Sequence, residues 1–449
     1  MSSLAPTWAT FVPELLSQVL ALLLHDFEEW KAQKEAGYSG STGKLQRQRM
    51  PRHPLLTATH VNRHWNGVAT RDLYSRIYVH KLEVVRPLLK AVTANPKLLD
   101  HIKSLNIDYK YVGLPTQPKA AKKEQGRRQR TSVVTWQLLR MLKPGRLRHL
   151  SIEAQSLLPF PADYSFNDLI QALIGLKSLA IVSDGYLTFG PFLHFAQWVA
   201  AAAPTLERLS LPCVWSSSMG TTQNENTIQK ISGGIPNLKS VCIIGDRSEL
   251  SAETFDILVT APARAGLLED LSLPTMFHCS QAKILHVINR AATTLRRLHL
   301  NFTWALYSTL DSNPGANKWT ELYIGLQSAL PTCKTLEVMQ IEAHLQSEDY
   351  MKLIQSLPPS VKILRIGRRN IHGACTIEEL ANALAIYLNS ETALGQTVLP
   401  TLATVQLVHY VCANMYKPTS LFTEADTFKQ RGIELTFDGP FPEHLSWSY

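Results

Sequence analysis

A six-residue pattern returns ten times along this chain: aliphatic, two variable positions, aliphatic, one variable position, aliphatic. It reads IKSLNI from Ile102, LRHLSI from Leu147, LKSLAI from Leu176, LERLSL from Leu206 and LKSVCI from Leu238. It continues as LEDLSL from Leu268, LRRLHL from Leu295, LEVMQI from Leu336, VKILRI from Val361 and LATVQL from Leu402. A weaker GIELTF starts at Gly432. Between 147 and 295 the starts advance by 29, 30, 32, 30 and 27 residues, and elsewhere by 45, 41, 25 and 41. A period in this range marks stacked supersecondary units, with insertions where the step lengthens. At 449 residues the chain is too long for one ordinary core, so an elongated array or several domains is expected.

Alternation within the hexamer predicts a short strand. In LERLSL, Leu209 and Leu211 fall on one face, Arg208 and Ser210 on the other. The segments between hexamers carry apolar residues at three-to-four spacing, as in Leu169–Leu173, Phe195–Val199, Ile284–Ile288 and Leu322–Leu326, and predict helices. Several of these stop at Pro or Gly and pass straight into the next hexamer, as at Ala203-Pro204 and Leu357-Pro358. Each unit then reads helix, tight turn, short strand. One unit cannot bury its apolar face alone, but stacked neighbours can. The expected class is α/β, with short parallel strands and outer helices. A doubly wound α/β domain is the competing reading.

These hexamers resemble the leucine-rich-repeat family, over residues 81–439. The Asn that this family places after the strand is replaced here by Gln155, Asp184, Val214, Asp246, Thr303 and His344. An irregular turn ladder is therefore expected. Two polar stretches interrupt the order. Residues 26–53 carry Gly37, Gly40, Gly43 and basic residues across 44–52; residues 113–130 carry Pro115, Pro118, Lys119, Lys122, Lys123, Arg127, Arg128 and Arg130. Both read as loops. Residues 440–449 read as a C-terminal tail.

The first eighty residues have another pattern. Pro13 and Glu14 suit the first turn of a helix. Leu15, Leu16, Val19, Leu20, Leu23 and Leu24 then cover two adjoining faces. After the insertion at 26–53, Ala58, Val61, Trp65 and Val68 recur at three- and four-residue steps, and Leu73, Tyr74 and Ile77 close the unit. The order PELLxxVLxxL, then Val61-Asn62-Arg63-His64-Trp65, then LYxxI resembles an F-box, and the whole architecture is similar to fungal F-box-like leucine-rich-repeat proteins. That resemblance implies a three-helix module docking a Skp-type adaptor of a cullin–RING ubiquitin ligase through Pro13, Leu15, Leu16, Val19, Leu20, Val61 and Trp65. It implies a repeat face that holds a protein target. The alternative is a repeat scaffold, unconnected with ubiquitin, whose N-terminal helices only cap the array.

Nothing in the sequence points to chemistry. His60 and His64 have metal-ligand spacing, but the Glu of HExxH is missing, so they read as structural or solvent-facing. Phosphate-cradling glycine loops and the nucleophile-elbow motif are absent, and no catalytic, cofactor or metal residue is assigned. The six cysteines lie no closer than 29 residues apart, without a CxxC pair, which fits a reducing compartment. The apolar stretch Leu15–Leu24 is too short to span a bilayer, so a cytoplasmic or nuclear, membrane-free monomer is expected. The net charge of +9 favours anionic partners without choosing one. Residues 119–130 read first as a solvated loop, then as a nuclear import signal, and only third as a nucleic-acid contact, since no aromatic residue interleaves the charges. The outward strand positions mix both signs, which argues for protein recognition over a nucleic-acid groove. Arg208, Arg297, His299 and Arg365 on the strands, with Trp215 and Trp304 just past them, are the expected target anchors.

Overall fold

The computed structural model describes residues 16, 18–20, 60–61, 63–79, 82–108, 118–153, 166–182, 195–212, 234–244, 252–273, 281–301, 318–343, 347–368, 377–390, 398–409 and 422–438. Pro13, Leu15, Trp215, Trp304, the insertion at 26–53, residues 113–117 and the tail at 440–449 lie outside them. Twelve strands follow one another in the sheet in sequence order, and every described register is parallel. The class is α/β, as expected. Eleven of the strands are the eleven hexamer segments. The twelfth, β1 (Arg76–Val79), carries no hexamer; the sequence reading had placed Ile77 in the helical module. The chain divides into two compact units, residues 1–150 with 161–172 and residues 151–160 with 173–449.

In the first unit, α1 (Arg63–Ser75) runs into β1 without an intervening residue. Strand β2 (Ser104–Ile107) pairs with β1, Ile77 opposite Leu105 and Val79 opposite Ile107. Helix α2 (Leu82–Ala94) and a 3-10 turn (Pro96–His101) connect the two strands. Helix α3 (Pro118–Met141) follows. The expectation of a loop through 113–130 therefore fails from 118 onward. Its physical reason is compositional. Lys, Arg, Ala and Gln are strong helix formers, Pro118 suits a first helical position, and Trp136, Leu138 and Leu139 anchor the far end in the core. Strand β3 (His149–Glu153) and α4 (Phe166–Leu173) carry the division between the units.

The second unit repeats one device. Its strands are β4 (Ser178–Val182), β5 (Arg208–Pro212), β6 (Ser240–Ile244), β7 (Asp270–Leu273), β8 (Arg297–Asn301), β9 (Val338–Glu342), β10 (Ile363–Arg368), β11 (Thr404–His409) and β12 (Glu434–Asp438). Between them lie α5 (Phe195–Ala202), the short α6 (Ala252–Phe255) and α7 (Ala261–Arg264) joined by one π turn, α8 (Gln281–Ala291), α9 (Lys318–Ala329), α10 (Ser347–Gln355), α11 (Ile377–Asn389) and α12 (Phe422–Gln430). From β4 to β11 the three aliphatic positions of each hexamer are buried: Leu206, Leu209 and Leu211, then Leu268, Leu271 and Leu273, then Leu336, Met339 and Ile341. Fully burying each such side chain stabilises by about 1.5–3 kcal/mol, which is why the hexamer recurs. Helices hand over to strands through left-handed glycines. At Gly266 (φ +67°) the Leu267 amide donates to Pro262 O and the Gly266 amide to Ala263 O. Gly432 (φ +67°) repeats the arrangement with Phe428 and Lys429. Both satisfy the last helical carbonyls with the two crossed bonds that only a positive φ permits at low cost.

The residue after the first aliphatic position sets the register. The Lys177 carbonyl accepts two amides of the next strand, from Glu207 at 2.8 Å and Arg208 at 3.0 Å. Glu207, Lys239, Glu269, Arg296, Glu337 and Lys362 do the same in turn. The residue before the hexamer completes the joint. Thr205 Oγ1 donates to Leu176 O (2.8 Å), Thr294 to Leu268 O (2.8 Å), Thr335 to Leu295 O (3.0 Å), Ser360 Oγ to Leu336 O (2.8 Å) and Thr401 to Val361 O (3.0 Å). Buried turn carbonyls are thus met by a row of hydroxyls at the start of the strands. The six positions where the asparagine ladder was sought lie outside the described residues.

Candidate functional site

The helical positions 16 and 18–20 pack on α1. Leu16 and Leu20, each 1% exposed, form a core with Val68 and Ala69, and Trp65 and Leu73 lie against it half-buried. The periodicity predicts this: Leu16 and Leu20 are one turn apart, as are Trp65, Val68 and Ala69. Among the residues expected to meet an adaptor, Leu16, Leu20 and Trp65 are therefore spent inside the module. Val19 (39% exposed) and Val61 (56% exposed) remain open to water. An isolated apolar side chain in water is ordinary, but one exposed valine on each of the two segments that carry the core residues is a candidate apolar contact. His60 is exposed as well, and no group of His, Cys, Asp and Glu able to hold a metal occurs among the described residues.

The strand face of the second unit departs further from expectation. The sequence predicts an outward, mixed polar recognition surface at the strand positions between the aliphatic ones. Instead Asp270, Ser272, Gln340 and Glu342 are buried, and Arg208, Arg297, His299 and Arg365 are half-buried. The register explains how. Ser210, Cys242, Ser272, His299, Gln340, Arg365 and Gln406 stand side by side across β5 to β11, so polar groups from neighbouring strands cover one another.

At β7–β9 these groups close into a hydrogen-bonded chain. Ser272 Oγ lies 2.8 Å from His299 Nδ1, and His299 Nε2 lies 2.9 Å from Glu342 Oε1. Gln340 Nε2 donates to the same carboxylate oxygen at 2.9 Å, and Asn301 Nδ2 to the other at 2.9 Å. Three donors therefore converge on one carboxylate. In the tautomer that carries its proton on Nε2, the ring donates to Glu342 and accepts the Ser272 hydroxyl at Nδ1. Gln340 Nε2 and His299 Nε2 sit 3.2 Å apart because both aim at Oε1. One strand position away, Arg297 grips Asp270 with two bonds, Nε to Oδ1 at 2.8 Å and Nη2 to Oδ2 at 3.0 Å. Burial pushes the Asp270 carboxyl above its ordinary value, and the Arg297 and Arg208 guanidiniums pull it back only in part.

A hydroxyl, an imidazole and a carboxylate in series have the parts of a nucleophile, a base and its orienting acid. Access decides against that use of them here. Ser272 is 2% exposed in mid-strand, so an acyl donor reaches its Oγ only if the strand face opens. What the chain of bonds does as it stands is tie β7, β8 and β9 in register with every proton assigned. The sequence places Asp270, Ser272, Arg297, His299, Asn301, Gln340 and Glu342 on one strand face but does not pair them. The signal was there only through register, since Ser272 and His299 are 27 residues apart and His299 and Glu342 43.

Comparison of the sequence with protein-family models and with curated proteins returned no match. Among the described residues no helix is long and apolar enough to cross a membrane.

Proposed function

We propose that this chain is an F-box-like leucine-rich-repeat protein that serves as the substrate-recognition subunit of a cullin–RING ubiquitin ligase. Its N-terminal helices bind a Skp-type adaptor, its repeat units hold a protein target, and the transfer chemistry belongs to other subunits. The observation that carries the reading is the small helical core at the N-terminus. Leu16 and Leu20 close on Trp65, Val68 and Ala69, and Val19 and Val61 stay in water. Contact with the adaptor is therefore assigned to Val19 and Val61, with Leu16, Leu20 and Trp65 holding them in place. On the repeat units, the half-buried Arg208 and Arg365 are proposed as target anchors alongside the contacts they make within the protein. Arg297 and His299 are engaged with Asp270 and Glu342 and act by shaping the face.

The test is capture of a purified Skp-type adaptor by the full chain. Val19→Asp with Val61→Asp should abolish capture while circular dichroism and the melting curve stay unchanged. Leu16→Ala should lower both capture and stability. Capture that survives the double Asp variant would remove the assigned contacts, and no capture by the unaltered chain would remove the receptor role.

One observation favours a second reading, in which the helices only cap the repeats. Ser75 ends α1, Arg76 begins β1, and the Lys103 amide donates back to Ser75 O at 3.0 Å. A helix joined so directly covers the first strands whether or not it binds an adaptor. A chain lacking residues 1–75 should aggregate under either reading; only adaptor capture separates them.

A further inference from the structure

Helix α3 is 24 residues long, where α2 beside it has 13. Its two halves differ. In the second half Thr131, Ser132, Thr135, Trp136, Leu138 and Leu139 are buried along one side. In the first half, residues 118–130 hold six cations against one acid, Glu124, a net +5 in a chain of net +9. Positions 119, 122, 123, 126, 127 and 130 follow the i, i+3, i+4, i+7, i+8, i+11 series that defines one helical face, and all but Gly126 are Lys or Arg. The same series runs on through the half-buried Val133 and Val134 to Gln137 and Arg140, which are exposed, and Met141, away from the buried side. There it meets a groove of about 470 Å³ lined by Leu89 and Thr93 of α2 and by Gln137, Arg140 and Met141 of α3.

This face is electrostatically unfavourable on its own. Lys119 and Lys123, and Lys123 and Arg127, are like charges four positions apart, and Lys119 falls in the first turn, at the positive end of the helix dipole. Each such placement is unfavourable, and an anionic ligand along the face would reverse that. We propose that this face of α3 and the groove at its end together bind an acidic protein segment, its carboxylates along positions 119–130 and an aliphatic anchor residue between Leu89 and Met141. Positions 119 to 141 span about 33 Å, the reach of about ten extended residues. The stripe lacks aromatic residues, so unstacked bases find no platform on it. An apolar floor beside Arg140 fits an aliphatic side chain flanked by acids.

The experiment titrates the full chain into a labelled, Glu/Asp-rich peptide of about twelve residues with one Leu near its end, read by fluorescence anisotropy. Its companions are the same peptide with Ser for Leu and an oligothymidine of similar length. Binding should weaken steeply with salt. Lys119→Glu with Arg127→Glu should weaken the Leu peptide by about tenfold or more. Each of these substitutions faces basic residues three or four positions away, so the helix is retained, and circular dichroism checks it. Met141→Ser should weaken the Leu peptide several-fold and leave the Ser peptide unchanged. The proposal is overturned if neither variant alters binding, if the peptide fails to bind at low salt, or if the oligothymidine binds as tightly as the Leu peptide. The last result would make the stripe a nucleic-acid surface.

Discussion

Two rows of charged side chains cross the second unit on the same strands, and they are built for opposite purposes. At the strand starts, Lys177, Glu207, Lys239, Glu269, Arg296, Glu337 and Lys362 alternate in sign without a break. The pairs Lys177–Glu207 (2.6 Å), Lys239–Glu269 (3.5 Å) and Lys362–Glu337 (3.1 Å) stand in water. On the strand face, Asp270, Arg297, His299 and Glu342 are pressed into a net with Ser272, Asn301 and Gln340. The first row contributes little per pair but penalises a slipped register, because a shift by one repeat sets like charges together. The second row is costly to form and costly to break, because any partner removed leaves another buried without it. Neighbouring residues of one hexamer thus carry charge for specificity in one row and for rigidity in the other.

The sharpest way to break this contrast is Glu342→Ala. It leaves the His299, Gln340 and Asn301 donors facing a void, and should cost about 3–5 kcal/mol in urea unfolding. Glu342→Gln keeps the shape and one acceptor, and should cost about half as much. A loss below about 1 kcal/mol for the alanine variant would mean that water replaces the carboxylate, and the face would then be solvated after all.

Arg297→Met comes next, at about 2–4 kcal/mol near neutral pH, because it leaves the buried Asp270 carboxylate without its hydrogen-bonded cation and with only the field of Arg208. The pH dependence has a definite sign. Burial already holds Asp270 above its ordinary value, so its favourable contribution is full below the unfolded carboxylate value of about 3.9 and is lost as pH rises through the folded value. Removing the arginine raises the folded value further. The deficit of the variant should therefore shrink as the pH is lowered toward 4, where Asp270 takes a proton. A deficit independent of pH would assign the loss to packing of the arginine stem.

Thr294→Val probes the joint between the rows. It removes the hydroxyl that meets Leu268 O at 2.8 Å and keeps the side-chain volume, at an expected cost of about 1 kcal/mol. Equivalent losses at Thr335 and Thr401 would make the hydroxyl row a shared element of the repeat.

These rows also show what was legible in the sequence. The aliphatic positions were, since each hexamer carries its own burial signal. The hydroxyl row was equally visible, in Thr205-Leu206, Thr294-Leu295, Thr335-Leu336, Ser360-Val361 and Thr401-Leu402, but attention to the missing asparagines drew the eye to the wrong end of the strand. The polar net was not legible, because Ser272, His299 and Glu342 sit on three strands and only pairing brings them together. Strand β1 escaped because Arg76-Ile77-Tyr78-Val79 has two residues of aliphatic pattern where the others have three. Helix α3 escaped because a run of like charges was read as solvation, although Lys, Arg, Ala and Gln propagate helices well.

The smallest predicted effect tests the outer row. Lys177 holds the Glu207 carboxyl below the usual glutamate range through its hydrogen bond, against a smaller opposing push from burial. Both side chains are more than a third exposed or close to it, so solvent screens the pair. Lys177→Met should then cost less than about 1 kcal/mol. A depressed carboxylate contributes stability above its unfolded value, about 4.3, and loses it as the pH falls through the lower folded value. The difference between variant and wild type should therefore fade below about pH 4, opposite in origin to the Arg297→Met deficit, and should weaken in about 1 M salt, where the Debye length is about 3 Å. If instead Lys177→Met matched Arg297→Met in size, the outer row would be holding the strands together as the inner one does. Single-site stability would then have to be redistributed between two rows that the register has so far assigned to different tasks.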